Sequence, residues 1–317
     1  MNRRQAPAAR ARRHGCCQLR RAPETRRVGV RNKTQPMIPD FLTQIIATKR
    51  AQIMRDRSDT KFARMRDEVL ATRRKTKPFR LRDALAGSSC PGIIAEFKRT
   101  SPSAGVIRSD VGPGEIAQAY ERGGASAISV VTDEEYFGGS LGDLVTARAQ
   151  TLLPILRKDF VIDPTQIFAA AIAGADAILL IVAALDDISL QRLRETAEDE
   201  LGLDALVEVH TAEELHRATK AGAKLIGVNN RDLRTLRVSL ETSERLMADA
   251  PRDAIMISES GLSGGGELRR LAALGYRGFL IGEMLMRAAD PAAKLRELVQ
   301  ACEDGTDAGF TTESIQP

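Results

Sequence analysis

Ionisable side chains follow several short β-branched runs of this chain, at the points where those runs end. The segments are Glu96-Phe97-Lys98, Lys158-Asp159-Phe160, Val207-Glu208-Val209, Asn229-Asn230-Arg231-Asp232, Ser258-Glu259-Ser260-Gly261 and Ile281-Gly282-Glu283. Because side chains alternate along a strand, Glu96 and Lys98 share one face and Phe97 takes the other. A single buried acid beside an amine can be a structural ion pair. Several such groups converging on one rim favour a functional site, because buried charges must be compensated.

The last two of these segments combine small residues with exposed backbone N–H groups. Ser260-Gly261 precedes a helical stretch at 265–274, and Gly282-Glu283 lies before a further apolar turn. Backbone N–H groups near the start of a helix bind anions. The pair therefore predicts a phosphate site, against the plainer interpretation that both are only tight turns.

The order of elements indicates how the segments meet. From residue 93 onward, short β-branched runs alternate with amphipathic helical stretches, which is the pattern of a parallel sheet. Gly124, Gly174, Gly222 and Gly275 recur about fifty residues apart and fit the left-handed position that ends a helix. The predicted strands are 93–97, 127–131, 155–158, 177–182, 205–209, 225–228, 255–258 and 279–281.

Closure of eight such units gives the simplest fold, an α/β (βα)8 TIM barrel, with the ionisable groups where strands run into the following loops. The alternative is an open doubly wound sheet, but no G-x-G-x-x-G fingerprint follows an early strand. Helix candidates at 40–57 and 61–74 precede the barrel. The predicted organisation is a basic extension at 1–36, a helical extension at 37–92, the barrel at 93–303 and a tail at 304–317.

The charge of the chain is unevenly distributed. Of its 317 residues, 43% are hydrophobic and 28% are charged, which excludes a wholly disordered, collagen-like or disulfide-scaffold protein. The net charge is +5, but residues 1–36 hold eleven Lys/Arg and one acid, so the remainder carries −5. Residues 1–36 could be a nucleic-acid arm, a transit peptide or an extension upstream of a true start at Met37. The last interpretation is favoured, because the segment has no periodicity.

The cysteines and the apolar runs predict neither a metal site nor a membrane span. The four cysteines, at 16, 17, 90 and 302, lack the spacing of a zinc site, and a reducing cytoplasm is the default. The apolar stretch 167–185 is broken by Gly174-Ala175-Asp176 into two halves, each too short to cross a bilayer. We therefore expect a cytoplasmic protein without a membrane partner.

The strand-end segments, taken in order, resemble the signatures of indole-3-glycerol phosphate synthases. The resemblance covers about residues 40–300 and includes the helices before the barrel. The matching motifs are Glu96-Phe97-Lys98-Arg99-Thr100-Ser101-Pro102-Ser103, Leu156-Arg157-Lys158-Asp159-Phe160, Leu206-Val207-Glu208-Val209-His210, Gly227-Val228-Asn229-Asn230-Arg231-Asp232-Leu233 and Ser258-Glu259-Ser260-Gly261-Leu262.

The resemblance implies an enzyme of tryptophan biosynthesis that closes an indole ring with loss of CO2 and water. Lys158 would be the general acid and Glu208 the general base, while Lys98 would hold the substrate's carboxylate and its share in proton donation stays open. The remaining roles are orientation by Glu96 and Asn229, support by Arg231 and Glu259, phosphate binding by Ser101, Ser260, Gly261, Gly282 and Glu283, and an apolar ring pocket of Phe137, Phe160, Leu180 and Leu233.

The resemblance also implies no metal or organic cofactor, a small phosphorylated substrate and no nucleic-acid partner. It is compatible with a monomer or a weak homodimer, and with contact to other tryptophan-pathway enzymes. Thr100 and Ala104 depart from the family pattern, in which cations often stand there, so less positive charge lies beside the phosphate. The alternatives are a phosphoribosyl isomerase and a non-catalytic barrel whose basic tail binds nucleic acid.

Overall fold

Eight parallel strands close into a barrel, as predicted. The structure, a computed structural model, describes residues 41–56, 59–73, 75–233 and 235–307. Each strand pairs with its neighbours in sequence, and the first pairs with the last. The strands are β1 (Gly92–Phe97), β2 (Ala127–Val131), β3 (Ile155–Lys158), β4 (Ala177–Ile181), β5 (Asp204–Val209), β6 (Leu225–Asn229), β7 (Ile255–Glu259) and β8 (Gly278–Ile281).

Helices fill the connections between the strands and also precede them. The predicted helix-ending glycines all have positive φ, for example 89° at Gly174 and 113° at Gly275. The helices are α1 (Phe41–Asp56), α2 (Asp59–Arg73), α3 (Arg80–Ala86), α4 (Pro113–Arg122), α5 (Leu141–Arg148), α6 (Pro164–Ile172), α7 (Asp187–Glu195), α8 (Ala212–Lys220), α9 (Glu241–Met247), α10 (Gly265–Leu274), α11 (Glu283–Arg287) and α12 (Pro291–Asp307). A π-helical turn, Thr196–Glu200, extends α7.

The strands bury both faces, which explains why they are almost continuously apolar. One set of side chains fills the barrel interior, and the alternate set packs against the surrounding helices. In β4, Leu179 and Ile181 belong to the interior and Leu180 to the outer layer. The register places Ile181 beside Glu208 of β5, so Glu208 also faces inward.

The helices before the barrel contribute to the same core. Leu81 and Leu85 of α3 are fully buried and pack with the interior residues of the strands, at the end where the strands begin. Helix α2 lies against α6, where the Phe62 and Phe168 rings meet edge to face at 5.3 Å. These two contacts join the helical extension to the barrel by apolar packing.

The predicted terminal segments fall largely outside the described residues. Residues 1–36 and 308–317 belong to that part of the chain, and α12 runs to Asp307, into the predicted tail. Among the described residues, none of the helices is both long and apolar enough to cross a membrane.

A buried carboxylate at the start of β4 ties the extension to the barrel. Asp176 is 2% exposed and accepts hydrogen bonds from Arg80 of α3 at 2.9 Å, from Arg148 of α5 at 3.0 Å and from the Ile155 backbone N–H at 3.0 Å. Two guanidinium groups therefore depend on one carboxylate for charge compensation.

We expect Asp176→Ala to lower the free energy of unfolding by about 3 kcal/mol, because it leaves two partly buried guanidinium groups unpaired. Urea unfolding followed by circular dichroism measures the loss. Asp253→Ala is the matched control: that carboxylate pairs with Lys224 on the surface, where an ion pair is worth less than about 1 kcal/mol. Equal losses in the two variants would contradict the role assigned to Asp176.

Candidate active site

The carboxyl ends of the strands surround a single cavity that gathers the predicted ionisable groups. Ionisable side chains from β1, β3, β5 and β7 line it, together with the loops after β6, β7 and β8. The lining includes Glu96, Lys98, Lys158, Glu208, Asn229, Arg231, Glu259, Ser260, Gly261, Gly282 and Glu283. The predicted convergence of charges on one rim is confirmed for these residues.

The first ion pair of the cavity lies on β1 and the residue that follows it. Lys98 Nζ is 2.6 Å from Glu96 Oε2, and Glu96 is 4% exposed. Phe97 points to the outer layer, as the alternation predicts. A Cβ atom at Gly282 would lie 2.2 Å from Glu96 Oε2, so the absent side chain of Gly282 makes room for this carboxylate.

The second ion pair joins β3 to two other strands. Lys158 Nζ lies 3.3 Å from Glu208 Oε2 and 3.6 Å from Glu259 Oε2. Burial acts to lower the pKa of Lys158, but the surrounding glutamates, Glu208 first, outweigh it and raise that pKa above lysine's usual value. Burial acts to raise the pKa of Glu208, and here Lys158 and then His210 reverse the direction, so the pKa is lowered. At neutral pH this pair is ionised.

Glu259 differs electrostatically from Glu208. Burial, opposed by Lys158 and reinforced by Glu208, raises the pKa of Glu259 above its usual range. Neither of its carboxyl oxygens has a hydrogen-bond partner among the described residues. A Cβ atom at Gly227 would lie 2.0 Å from Glu259 Oε1, so this acid fills space that a glycine on β6 leaves empty.

His210 also belongs to the site, through its contact with Glu208. It lies in one of the family motifs, but the sequence indicated no role for it. Its Nε2 lies 3.3 Å from Glu208 Oε1, and its Nδ1 lies 3.0 Å from Glu214 Oε2. Burial acts to lower the pKa of His210, but the two carboxylates raise it to about 10. The imidazolium therefore adds a positive charge behind Glu208. The sequence signal for a charged His210 was the pair of acids around it, Glu208 two residues before and Glu214 four residues after.

The turn after β7, which the sequence predicts as part of a phosphate site, lines the cavity. Ser260 and Gly261 both have positive φ, 64° and 78°, and both line the cavity. Asn230 fixes this turn: its side chain donates to the carbonyls of Glu259 and Ser260 at 3.0 and 3.1 Å and accepts from Ser243. The sequence pattern indicated no role for Asn230.

Ser101 and Glu283 lie at the edge of the cavity. Ser101 lines a smaller adjoining pocket, which shares Lys98 and Ser260 with the main one and is covered by α1. The Glu283 side chain accepts a hydrogen bond from Arg287 Nε at 2.9 Å, so its carboxylate is directed along α11.

The polar end of β6 is held by local hydrogen bonds. Asn229 Oδ1 accepts from the Arg231 backbone N–H at 3.0 Å, and the Asn229 side chain contributes to the lowered pKa of Glu208. Arg231 Nη1 donates to the Leu236 carbonyl at 3.0 Å. The Arg231 guanidinium thus lines the cavity while being anchored to the loop after β6.

The predicted apolar wall is correct at three positions and wrong at one. Phe137, Phe160 and Leu233 line the cavity, and the two rings lie 6.2 Å apart. Leu180 does not line it, because strand alternation turns this side chain to the outer layer. Its neighbours Leu179 and Ile181 face the cavity instead.

No group of three or more acidic, histidine or cysteine side chains with metal-binding geometry occurs in residues 41–56, 59–73, 75–233 and 235–307. The arrangement itself offers two ammonium groups, an ionised carboxylate and an apolar wall around one space. Such a set can protonate a developing oxyanion, remove a proton and bind an anionic aromatic compound.

Comparison with known proteins identifies the family. The family model described as indole-3-glycerol phosphate synthase matches residues 42–298. The chain belongs to the indole-3-glycerol phosphate synthase family. An indole-3-glycerol phosphate synthase of Bacteroides thetaiotaomicron is 45% identical over 267 residues, covering 83% of this chain and 99% of the relative. One of Acidithiobacillus ferrooxidans is 46% identical over 259 residues, covering 82% and 98%.

Solved structures support the barrel alone. A thiamine phosphate pyrophosphorylase from Pyrococcus furiosus matches with a TM-score of 0.53 at 18% identity, covering 71% of this chain and 98% of the other. The 3-hexulose-6-phosphate synthase from Salmonella typhimurium matches with a TM-score of 0.54 at 14% identity, covering 68% and 99%. At such identities the likeness extends to the fold of this family member and no further.

The charged state of His210 makes stability depend on pH. Its folded pKa of about 10 lies above the unfolded 6.5, so its stabilisation is complete below pH 6.5 and is lost as pH rises toward 10. We expect the stability advantage of the native protein over His210→Gln to fall by at least about 1 kcal/mol across that window. Urea unfolding at each pH measures it. His216→Gln, on the exposed face of α8, is the control, and a pH-independent difference for His210→Gln would refute the assignment.

Proposed function

We propose that this chain is an indole-3-glycerol phosphate synthase, which converts 1-(2-carboxyphenylamino)-1-deoxyribulose 5-phosphate to indole-3-glycerol phosphate, CO2 and water. The observation that carries the proposal is the pair of lysine–glutamate contacts, Lys98–Glu96 and Lys158–Glu208, facing one cavity with an aromatic wall. Family membership supports the same reaction.

Lys158 is the general acid in this proposal. The reaction joins a ring carbon to a ketone, so the carbonyl oxygen gains negative charge as the bond forms. A buried ammonium aimed at that oxygen stabilises the charge and supplies the proton. Its raised pKa keeps Lys158 protonated near neutrality, so the acid is present before each turnover.

Lys98 and Glu208 take the other two principal roles. Lys98 pairs with the carboxylate of the substrate's aromatic ring, which leaves as CO2 when the ring closes. Loss of CO2 restores the benzene ring and leaves a hydroxyl on the new five-membered ring. Glu208 then removes a proton from the adjacent carbon while that hydroxyl takes up a proton and leaves as water, which makes the five-membered ring aromatic. The lowered pKa of Glu208 supports this role, because a base must be ionised before it can accept a proton.

The remaining side chains orient and bind. Glu96 and Asn229 orient the reacting groups, with support from Arg231 and Glu259. The apolar wall of Phe137, Phe160 and Leu233 receives the aromatic ring. The phosphate binds at the other side, in a set formed by Ser101, Ser260, Gly261, Gly282 and Glu283. Gly282 also leaves room for the Glu96 carboxylate, so it contributes both to the phosphate site and to the Lys98–Glu96 pair.

We also propose that the enzyme works in the cytoplasm on this small phosphorylated substrate, as a monomer or weak homodimer, without a metal, organic cofactor or nucleic-acid partner. The low cysteine content and the acidic body outside residues 1–36 support this assignment.

The direct test incubates the purified full chain with the carboxyphenylamino-deoxyribulose phosphate and follows indole formation by fluorescence. Because the chain has no tryptophan, its own emission interferes little. Turnover supports the proposal. Isomerisation of a phosphoribosyl substrate without ring closure, or salt-sensitive nucleic-acid binding without turnover, would replace it.

For Lys158→Ala we expect kcat to fall by at least about 100-fold, with a smaller effect on KM, because a positioned acid contributes about 10²–10⁴-fold. Steady-state kinetics measure both constants. Lys224→Ala, which removes a surface lysine paired with Asp253, is the control and should retain native kcat. Native-like turnover of Lys158→Ala would exclude Lys158 as the acid.

For Glu208→Gln we expect kcat to fall by about 100-fold or more, because an amide cannot accept the proton. The amide keeps the shape of the carboxylate, so the circular dichroism spectrum should be unchanged. A variant that is folded and fully active would remove Glu208 from the mechanism.

A further inference from the structure

A lysine outside the barrel reaches two carboxylates that line the cavity beside its aromatic wall. Lys49 lies on α1 and is 7% exposed. Its Nζ is 2.9 Å from Asp133 Oδ2, in the loop after β2, and 2.8 Å from Asp159 Oδ1, directly after β3. Asp133 and Asp159 are themselves 1% and 3% exposed, so all three residues of this contact are buried.

Each of the two carboxylates also binds the backbone that carries one aromatic residue of the wall. Asp133 Oδ1 accepts from the Phe137 N–H at 3.2 Å and from the Tyr136 N–H at 2.7 Å. Asp159 Oδ1 accepts from the Phe160 N–H at 2.8 Å. One ammonium group therefore connects the backbones of Phe137 and Phe160 through two carboxylates.

We propose that Lys49 is a positioning residue, which sets the spacing of the Phe137 and Phe160 rings and thereby the binding of the substrate's aromatic ring. The inference rests on the proposed function, because it needs an aromatic substrate in this cavity. It assigns α1 a role in substrate affinity that passes through Asp133 and Asp159, without contact between Lys49 and the reacting atoms.

The two carboxylates depend on Lys49 to different degrees. Asp159 also pairs with Arg157 at 2.8 Å and accepts from Thr132 at 2.7 Å. For Asp133, Lys49 provides the one ion pair recorded within residues 41–56, 59–73, 75–233 and 235–307. Loss of Lys49 therefore leaves Asp133 as a buried, uncompensated charge, and the loop that carries Phe137 is the part that moves.

Further contacts direct this effect to the same loop. The Phe41 and Tyr136 rings meet edge to face at 5.4 Å, and Thr48 Oγ1 is 3.1 Å from the Tyr136 hydroxyl. Helix α1 thus holds the residue next to Phe137 from two sides while Lys49 holds its backbone. The phosphate turn at Ser260 and Gly261 receives no contact from Lys49 in the described structure.

The test compares Lys49→Met with Lys49→Arg in the full chain. Methionine keeps the length of the side chain and removes the charge, whereas arginine keeps the charge. We expect Lys49→Met to raise KM by about tenfold, the scale of one lost aromatic contact, with a smaller change in kcat. Lys49→Arg should restore most of the affinity, because it can pair with both carboxylates.

Inorganic phosphate as a competitive inhibitor separates local repositioning from general damage. Its inhibition constant should stay within about twofold of the native value in Lys49→Met, because the phosphate turn lies on other strands. A KM within twofold of native would overturn the inference, and so would equal weakening of substrate and phosphate. If the native protein itself fails to close the ring, the proposed function is what fails.

A double variant covers the case in which Lys49→Met does not fold. Lys49→Met combined with Asp133→Asn removes both charges, so no buried carboxylate is left uncompensated, and the amide oxygen can still accept from Phe137. We expect this variant to fold and to keep the raised KM, because the link to α1 is still absent. Recovery of native KM in the double variant would show that only charge burial matters and would overturn the positioning role.

Discussion

Charge compensation inside the barrel is the constraint on which the site depends. Three carboxylates, Glu96, Glu208 and Glu259, are buried in one space with the ammonium groups of Lys98 and Lys158. His210 adds a positive charge behind Glu208, which it shares with Glu214. Burial raises the pKa of Glu259, because Lys158 at 3.6 Å does not offset it and Glu208 adds to it. The barrel can hold these ionised groups because each lysine lies against a buried carboxylate.

Space in the interior is arranged by the same requirement. Gly282 of the loop after β8 and Gly227 of β6 occupy positions where any Cβ would overlap a glutamate, Glu96 in one case and Glu259 in the other. A closely packed interior offers no other room for these side chains. Glu96 and Glu259 thus each depend on a glycine from a neighbouring part of the barrel.

The local patterns predicted the strands closely, because strand alternation and helix-ending glycines are properties of short segments. They also placed Glu96 and Lys98 on one face, for the same reason. Leu180 was assigned to the wrong face because the position of a side chain in β4 is fixed by register: Ile181 lies beside Glu208, so Leu180 must face outward. Lys49 was missed because its partners, Asp133 and Asp159, are far away in sequence, and a lone lysine on a helix usually faces solvent. The local sequence gave one sign of this contact: an acid follows each of the strands β2 and β3, namely Asp133 and Asp159.

The alternation of strands and helices begins at residue 93. The hydrophobic core begins earlier in the chain. Leu81 and Leu85 fill the interior at the end where the strands start, so the barrel is closed there by a helix that precedes it. Lys49 supplies the charge that the loops after β2 and β3 require at the opposite end. The helices before β1 thus complete the apolar core at one end and the charge balance at the other. A barrel cut at residue 93 would expose apolar interior surface at its base and leave Asp133 uncompensated beside the aromatic wall, so both stability and substrate affinity depend on a segment that contributes no catalytic group.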